Sequence, residues 1–316
     1  MTIALLLLGG ISLLLLGGHY LVNSAVKLAA RLKVPPLVIG LTIVALGTSA
    51  PELVISVDAV LTGHDDIVSG NIIGSNIANL LLVLSVSALI FPVIVVRPII
   101  KREGTILILA ALLFALLLRD GFASRLDGAV LLACLMAYTL FAFLAPSGSD
   151  ASLPADADSP GPAAPASDAG TMVKDLVFIA GALAALAYGS HLFVDGAVRL
   201  SLLLGVSEAV IGLTVVAIGT AAPEIVTAAI AAWNRHTDVA IGNVIGSSIF
   251  NLLGITGVTA IVSAIRVDPR FLGLDFGLML AASVALVAAG LVLGRLGRRV
   301  GVVMLLVYIA YMGQLT

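Results

Sequence analysis

The sequence predicts an all-α polytopic membrane protein: ten transmembrane helices arranged as two inverted five-helix repeats, with helices 2, 3, 7 and 8 broken. Three observations carry this expectation. Apolar residues make up 60% of the 316-residue chain and charged residues only 11%, with a mean hydropathy of +1.20, whereas soluble domains carry roughly 25% charged residues. The apolar runs are continuous and long enough to cross ~30 Å of hydrocarbon as helices, unlike the short alternating segments of a β-barrel. The halves also repeat: VIGLTIVALGTSAPE at 38–52 is answered by VIGLTVVAIGTAAPE at 210–224, an offset of 172 at which only Ile43/Val215, Leu46/Ile218 and Ser49/Ala221 differ.

In chain order, segment one (about 3 to 30) turns amphipathic after Gly18, placing His19, Asn23, Lys27 and Arg31 along one helical face. Segment two (about 37 to 61) follows Pro35-Pro36 and contains Glu52; segment three (about 67 to 90) follows the loop Gly63-His64-Asp65-Asp66. Segments four (about 104 to 118) and five (about 126 to 144) are Leu- and Ala-rich, without internal charge, and read as scaffold. Residues 145–172, rich in Pro, Ala, Ser, Gly and Asp, read as a flexible linker. Asp150, Asp156, Asp158 and Asp168 lie there, but their spacing lacks the ligand pattern of a calcium loop. Segment six (about 173 to 204) then repeats segment one, with His191 for His19, Asp195 for Asn23 and Arg199 for Lys27; Asp195 is expected to pair with Arg199 or to cap the outer end. Segments seven (about 208 to 233), eight (about 239 to 263), nine (about 273 to 293) and ten (about 299 to 314) complete the plan. The single cysteine, Cys134, sits among apolar neighbours as a packed thiol, and the N-terminus lacks the basic residues and cleavage site of a signal peptide.

Five helices per half is an odd number, so the second half enters the membrane from the opposite side and the repeats are inverted. With the N-terminus outside, eleven of the 16 Lys and Arg residues fall on the cytoplasmic side, which predicts both termini outside and the linker inside. No basic tail or aromatic-basic patch points to nucleic acid.

The chemistry lies in the repeated blocks. Glu52 and Glu224 interrupt apolar runs, where an ionised side chain is costly unless it faces a polar cavity or holds a cation. Pro51 and Pro223 precede them; each lacks an N–H, so the carbonyls of Gly47 and Gly219 are expected to lose their helical partners and become oxygen ligands. Thr48, Ser49 and Thr220 add hydroxyls. SGNIIGSNIANLL from Ser69 matches IGNVIGSSIFNLL from Ile241, supplying Ser75 with Asn79 and Ser247 with Asn251, while Gly74 and Gly246 permit close helix approach. A single such motif is as well explained by helix packing, and the Ser and Asn residues by interhelical hydrogen bonding; duplication with two glutamates favours a cation site. An all-oxygen donor set without converging Cys or His suits calcium or sodium. His19 and His191 read as interface or packing residues rather than ligands, and Asp58 as rim.

At GTSAPE and GTAAPE, each followed by GN-x-x-GS-x-x-x-N, the chain resembles the sodium/calcium exchanger family of the calcium/cation antiporter superfamily, in its prokaryotic ten-helix form. The resemblance covers both halves, 1–144 and 173–316, with alpha-repeats at 38–82 and 210–254. It implies that Glu52 and Glu224 are the central calcium carboxylates. Oxygens of Ala45, Thr48, Ser49, Ala217 and Thr220, with Ser75, Asn79, Ser247 and Asn251, would surround calcium and sodium, while segments one and six slide as a gating pair. It implies transported Ca²⁺ and Na⁺, a lipid bilayer around the chain, and no cofactor or enzymatic reaction. Three positions depart from the pattern: Ala221 stands opposite Ser49, Ser248 opposite Asn76, and Asn251 where some relatives, including potassium-dependent ones, carry Asp. Gly-Thr before each Pro-Glu favours sodium coupling over the Gly-Asn form of the proton/calcium exchangers. Membrane proteases are disfavoured because their motifs are missing from the sequence, and a channel because two fixed charges in a broken repeat fit alternating access better.

Overall fold

The computed structural model describes residues 2–144, 169–205 and 217–315. Among these residues the chain forms ten helical stretches: α1 (Thr2–Leu32), α2 (Pro36–Thr48 and Ala50–Leu61), α3 (Asp65–Ile90), α4 (Arg97–Leu117) and α5 (Arg125–Leu144) in the first half. The second half gives α6 (Ala169–Leu203), α7 (Ala217–Thr220 and Ala222–Trp233), α8 (Thr237–Val262), α9 (Leu274–Leu293) and α10 (Arg298–Leu315). The first part of segment seven and of the second repeated block, 206–216, and the linker residues 145–168 lie outside the described residues.

Local geometry repeats with the sequence. Lys33 and Gly205, and Gly63 and Arg235, are pairs at the 172-residue offset, and all four adopt left-handed backbone in the turns closing α1, α6, α2 and α7. Glycine reaches that region without cost, so Lys33 and Arg235 hold it only because the turn demands it. Two short antiparallel pairings interleave the halves: β1 (Val93–Ile94) with β4 (Arg295–Leu296), and β2 (Phe122–Ala123) with β3 (Ile265–Arg266). The first pairing gathers the α3–α4 and α9–α10 connections at one end. There Arg298 donates to the Leu89 carbonyl and Arg235 covers the ring of Phe91.

The helices expected to be broken divide into two kinds. α2 bends by 42° at Ser49, and α7 is interrupted at the equivalent Ala221; both residues leave helical geometry immediately before an Ala-Pro pair. α3 and α8, by contrast, run uninterrupted through stretches of widened π turns at Ala78–Val83 and Phe250–Ile255. Such turns shift the helix register without a break and are common at functional positions.

Two other boundaries move. α4 begins at Arg97, well before the expected start near 104, which brings Glu103 inside a helix expected to lack internal charge. Glu103 is tolerated there because Arg102 pairs with it and the Tyr138 hydroxyl of α5 donates to it at 3.0 Å. At the equivalent position of the second half, Asp275 accepts from Tyr311 of α10, also at 3.0 Å. α6 begins at Ala169, so residues 169–172, assigned to the linker by composition, are helical; Arg31 of α1 holds this first turn by bonding Thr171 and Asp175.

Packing ties α1 to α6 and both of them to α2 and α7. Leu14, Leu21, Leu28, Ile179 and Leu186 form one buried cluster with Ile39 and Val44, while a larger cluster joins α3, α4, α5, α8 and α9. Gly10 and Gly189 let α1 and α6 meet backbone to backbone; a Cβ on Gly189 would lie 3.0 Å from the Gly10 carbonyl oxygen. Large apolar side chains such as Leu5, Leu8, Leu15, Leu16 and Val173 remain exposed, as expected of a lipid-facing surface.

Candidate functional site

The two glutamates occupy equivalent settings. Glu52 lies in the first turn of Ala50–Leu61 and Glu224 in the first turn of Ala222–Trp233, so each carboxylate sits where the N–H groups of a restarting helix favour negative charge. Both are buried, and the field of the Glu224 carboxylate reaches Glu52.

Around them the two halves interlock. The Ser49 hydroxyl donates to Oε1 of Glu224 at 3.0 Å. The Thr48 hydroxyl lies 3.2 Å from Oδ1 of Asn243 and 3.4 Å from the Ala45 carbonyl, which the Ser247 hydroxyl also approaches at 3.4 Å. These contacts join α2 to α7 and α8. They are possible because α8 approaches α2 closely at Gly242 and Gly246: a Cβ on Gly242 would lie 2.7 Å from the Leu37 carbonyl oxygen, and one on Gly246 would collide with the backbone of Leu41. On the other side, Asn71 of α3 donates to the Glu52 carbonyl at 3.0 Å and to the Ser56 hydroxyl at 2.8 Å, and the Ser75 hydroxyl lies 3.4 Å from Asn71 Oδ1.

Several buried polar atoms find no protein partner: Oε2 of Glu52, Oε2 of Glu224, Nδ2 of Asn243 and both amide atoms of Asn251. A buried polar group left unpaired costs about 1–3 kcal/mol, and more when charged, so the unpaired oxygen on each glutamate is suited to receive a cation. Two carboxylate oxygens, an amide oxygen and nearby hydroxyls form a hard-oxygen donor set suited to alkali or alkaline-earth cations. Among the described residues no third acidic, His or Cys side chain joins the pair.

The sequence-selected residues can now be placed. Thr48, Ser49, Glu52, Glu224 and Ser247 are buried and linked by the contacts above; Asn79 and Asn251 are buried on the π turns of α3 and α8. Ser75 and Thr220 are half-buried, and Ala217 opens the described part of α7. Pro51 and Pro223 stand at the helix restarts. Asp58 is exposed, and Asp195 pairs with Arg199 at 2.7 Å. One expectation needs correction: the Gly219 carbonyl is not left open, because the Ser190 hydroxyl of α6 donates to it. The equivalent of Ser190 in the first half is Gly18, which has no hydroxyl, so the Gly47 carbonyl cannot be capped in the same way. Asn71, Asn243, Ser56 and Ser190 were not selected from sequence. The repeated Gly-Asn at 70–71 and 242–243 was the available signal for the two asparagines; nothing local marked Ser56 or Ser190.

Comparison with known proteins gives a consistent result. The family model described as sodium/calcium exchanger protein matches residues 2–144 and 174–316. The chain is 38% identical to CaxA of Alkalimonas amylolytica, over 96% of this chain and 95% of that one. It is 31% identical to the sodium/calcium exchanger MaX1 of Methanosarcina acetivorans, over 98% and 97% of the two chains. The solved structure of the sodium-calcium exchanger NCX_Mj, soaked with Na⁺ and Ca²⁺, superimposes with a TM-score of 0.84 at 30% identity, covering 100% of this chain and 99% of that one. The chain belongs to the sodium/calcium exchanger family of membrane antiporters.

Proposed function

We propose that this chain exchanges Na⁺ for Ca²⁺ at a site centred on Glu52 and Glu224. The observation that carries the reading is the pair of buried glutamates, each with one carboxylate oxygen lacking a protein partner. Two carboxylates neutralise one divalent cation, so Ca²⁺ offsets the desolvation cost that two buried charges otherwise impose. When Ca²⁺ leaves, the carboxylates repel unless monovalent cations take its place, and competition for one set of oxygens couples the two fluxes.

In this reading Thr48, Ser49, Ser75, Asn79, Thr220, Ser247 and Asn251, with the carbonyls of Ala45 and Ala217, supply further oxygens. The halves 1–144 and 173–316 act as inverted repeats; the interleaved pairings β1 with β4 and β2 with β3 support this, since exchanging the halves converts one pairing into the other. The charge asymmetry supports both termini outside a plasma membrane with the linker in the cytoplasm. The backbone-to-backbone contact of α1 with α6 at Gly10 and Gly189 supports movement of these two helices as one body against the site.

In proteoliposomes, an outward Na⁺ gradient should drive Ca²⁺ uptake, and collapsing it should stop uptake. Uptake indifferent to Na⁺ and driven by a pH gradient would replace Na⁺ by H⁺ as the coupling ion.

A further inference from the structure

We infer that the groove between α1 and α6, at the end where Arg31 meets Asp175, binds an anionic phospholipid, its phosphate held by Lys27 and Lys174 and its acyl chains laid against Tyr20 and Phe178. The groove encloses a cavity of about 560 Å³. Its wall contains a largely buried ion pair, Arg31 with Asp175, in which the acid is already matched by a base. Lys27 and Lys174 are exposed at the same cavity, and among the described residues neither pairs with a carboxylate. The groove therefore carries net positive charge.

The chain's own repeat provides the comparison. At the position equivalent to Lys27, Arg199 is neutralised by Asp195 through contacts of 2.7 and 2.9 Å. Opposite Asp195 the first half has Asn23, whose amide bonds His19 at 2.9 Å and cancels no charge. One end of the α1–α6 pair is thus electrically closed while the other is left basic.

The apolar part selects the kind of anion. Tyr20 and Phe178, both exposed, stack across the groove with ring centroids 6.0 Å apart, and the Lys174 ammonium lies 5.9 Å above the Phe178 ring. Leu16, one turn from Tyr20 on α1, is also exposed. A free phosphate uses only the lysines, whereas a phospholipid uses both parts, and basic pockets between membrane helices suit anionic headgroups. The linker, with its four aspartates at 150, 156, 158 and 168, is the rival occupant.

Native mass spectrometry of the full-length protein in mild detergent, titrated with phosphatidylglycerol, phosphatidylcholine or inorganic phosphate, tests this. Phosphatidylglycerol should bind more tightly than phosphatidylcholine. Its affinity should fall about fivefold for Lys27→Ala or Lys174→Ala and about 25-fold for both, at roughly 1 kcal/mol per basic residue. The Lys27→Arg/Lys174→Arg protein should bind like the parent. Equal binding of the two lipids, unchanged affinity in the double alanine variant, or displacement of the lipid by equimolar inorganic phosphate would each overturn the inference. Changing the four linker aspartates to Asn should leave the dependence of lipid affinity on both lysines intact; loss of that dependence would show that the lysines act through the linker and would also overturn the inference.

Discussion

The Ser49 hydroxyl donates to Oε1 of Glu224 at 3.0 Å, tying the bend of α2 to the first turn after the interruption of α7. The contact has no mirror image, because Ala221 replaces serine in the second copy and Glu52 receives no equivalent hydroxyl from it. The two glutamates are therefore alike in position but not in hydrogen bonding.

Ser49→Ala tests that asymmetry. A hydrogen bond to a charged group contributes about 1.5–3 kcal/mol, so its loss should raise the half-saturating Ca²⁺ concentration about tenfold or more in vesicle flux assays. Ala221→Ser should have a much smaller effect.

Asn251→Leu separates binding from folding. Both amide atoms of Asn251 are buried without a protein partner, so an apolar residue of similar size relieves a cost instead of creating one. Thermal unfolding in detergent without Ca²⁺ should shift upward or stay unchanged, while Ca²⁺ transport falls by about tenfold or more. A coordinating side chain alone gives that combination; a purely structural amide does not.

Gly246→Ala should act through packing. The added methyl meets the backbone of Leu41, which cannot rotate away, and overpacking of this kind costs about 1–3 kcal/mol. Thermal unfolding should occur at lower temperature, with transport lost in proportion to the folded fraction.

The Glu103–Tyr138 bond should behave as scaffold. Tyr138→Phe leaves Glu103 with Arg102 but removes the interhelical donor, so stability should drop by about 1 kcal/mol with the apparent affinities for Ca²⁺ and Na⁺ unchanged. A changed ion affinity would place this pair in communication with the site.

The parts that local chemistry dictates were legible in the sequence. Proline before each glutamate announced the interruptions at Ser49 and Ala221, and the spacing of His19, Asn23, Lys27 and Arg31 described the face that lines the α1–α6 groove. Four details depended on the tertiary neighbour. Residues 169–172 looked like linker because their helicity rests on Arg31, distant in sequence. Glu103 marked an apparent helix start because its partners lie beside it and on α5. The Gly219 carbonyl was expected to be open because Ser190 reaches it from α6. Helices 3 and 8 were expected to be broken, yet the π turns that carry Asn79 and Asn251 leave them continuous, which hydrophobic periodicity does not distinguish.

Equilibrium ⁴⁵Ca²⁺ binding to the purified protein, with and without Na⁺, tests the two-glutamate site most directly. One Ca²⁺ should bind per chain and be displaced by Na⁺, and Glu52→Gln and Glu224→Gln should each abolish the binding while the proteins remain folded. Undiminished Ca²⁺ binding by either variant, or Ca²⁺ that Na⁺ cannot displace, would contradict a shared carboxylate site.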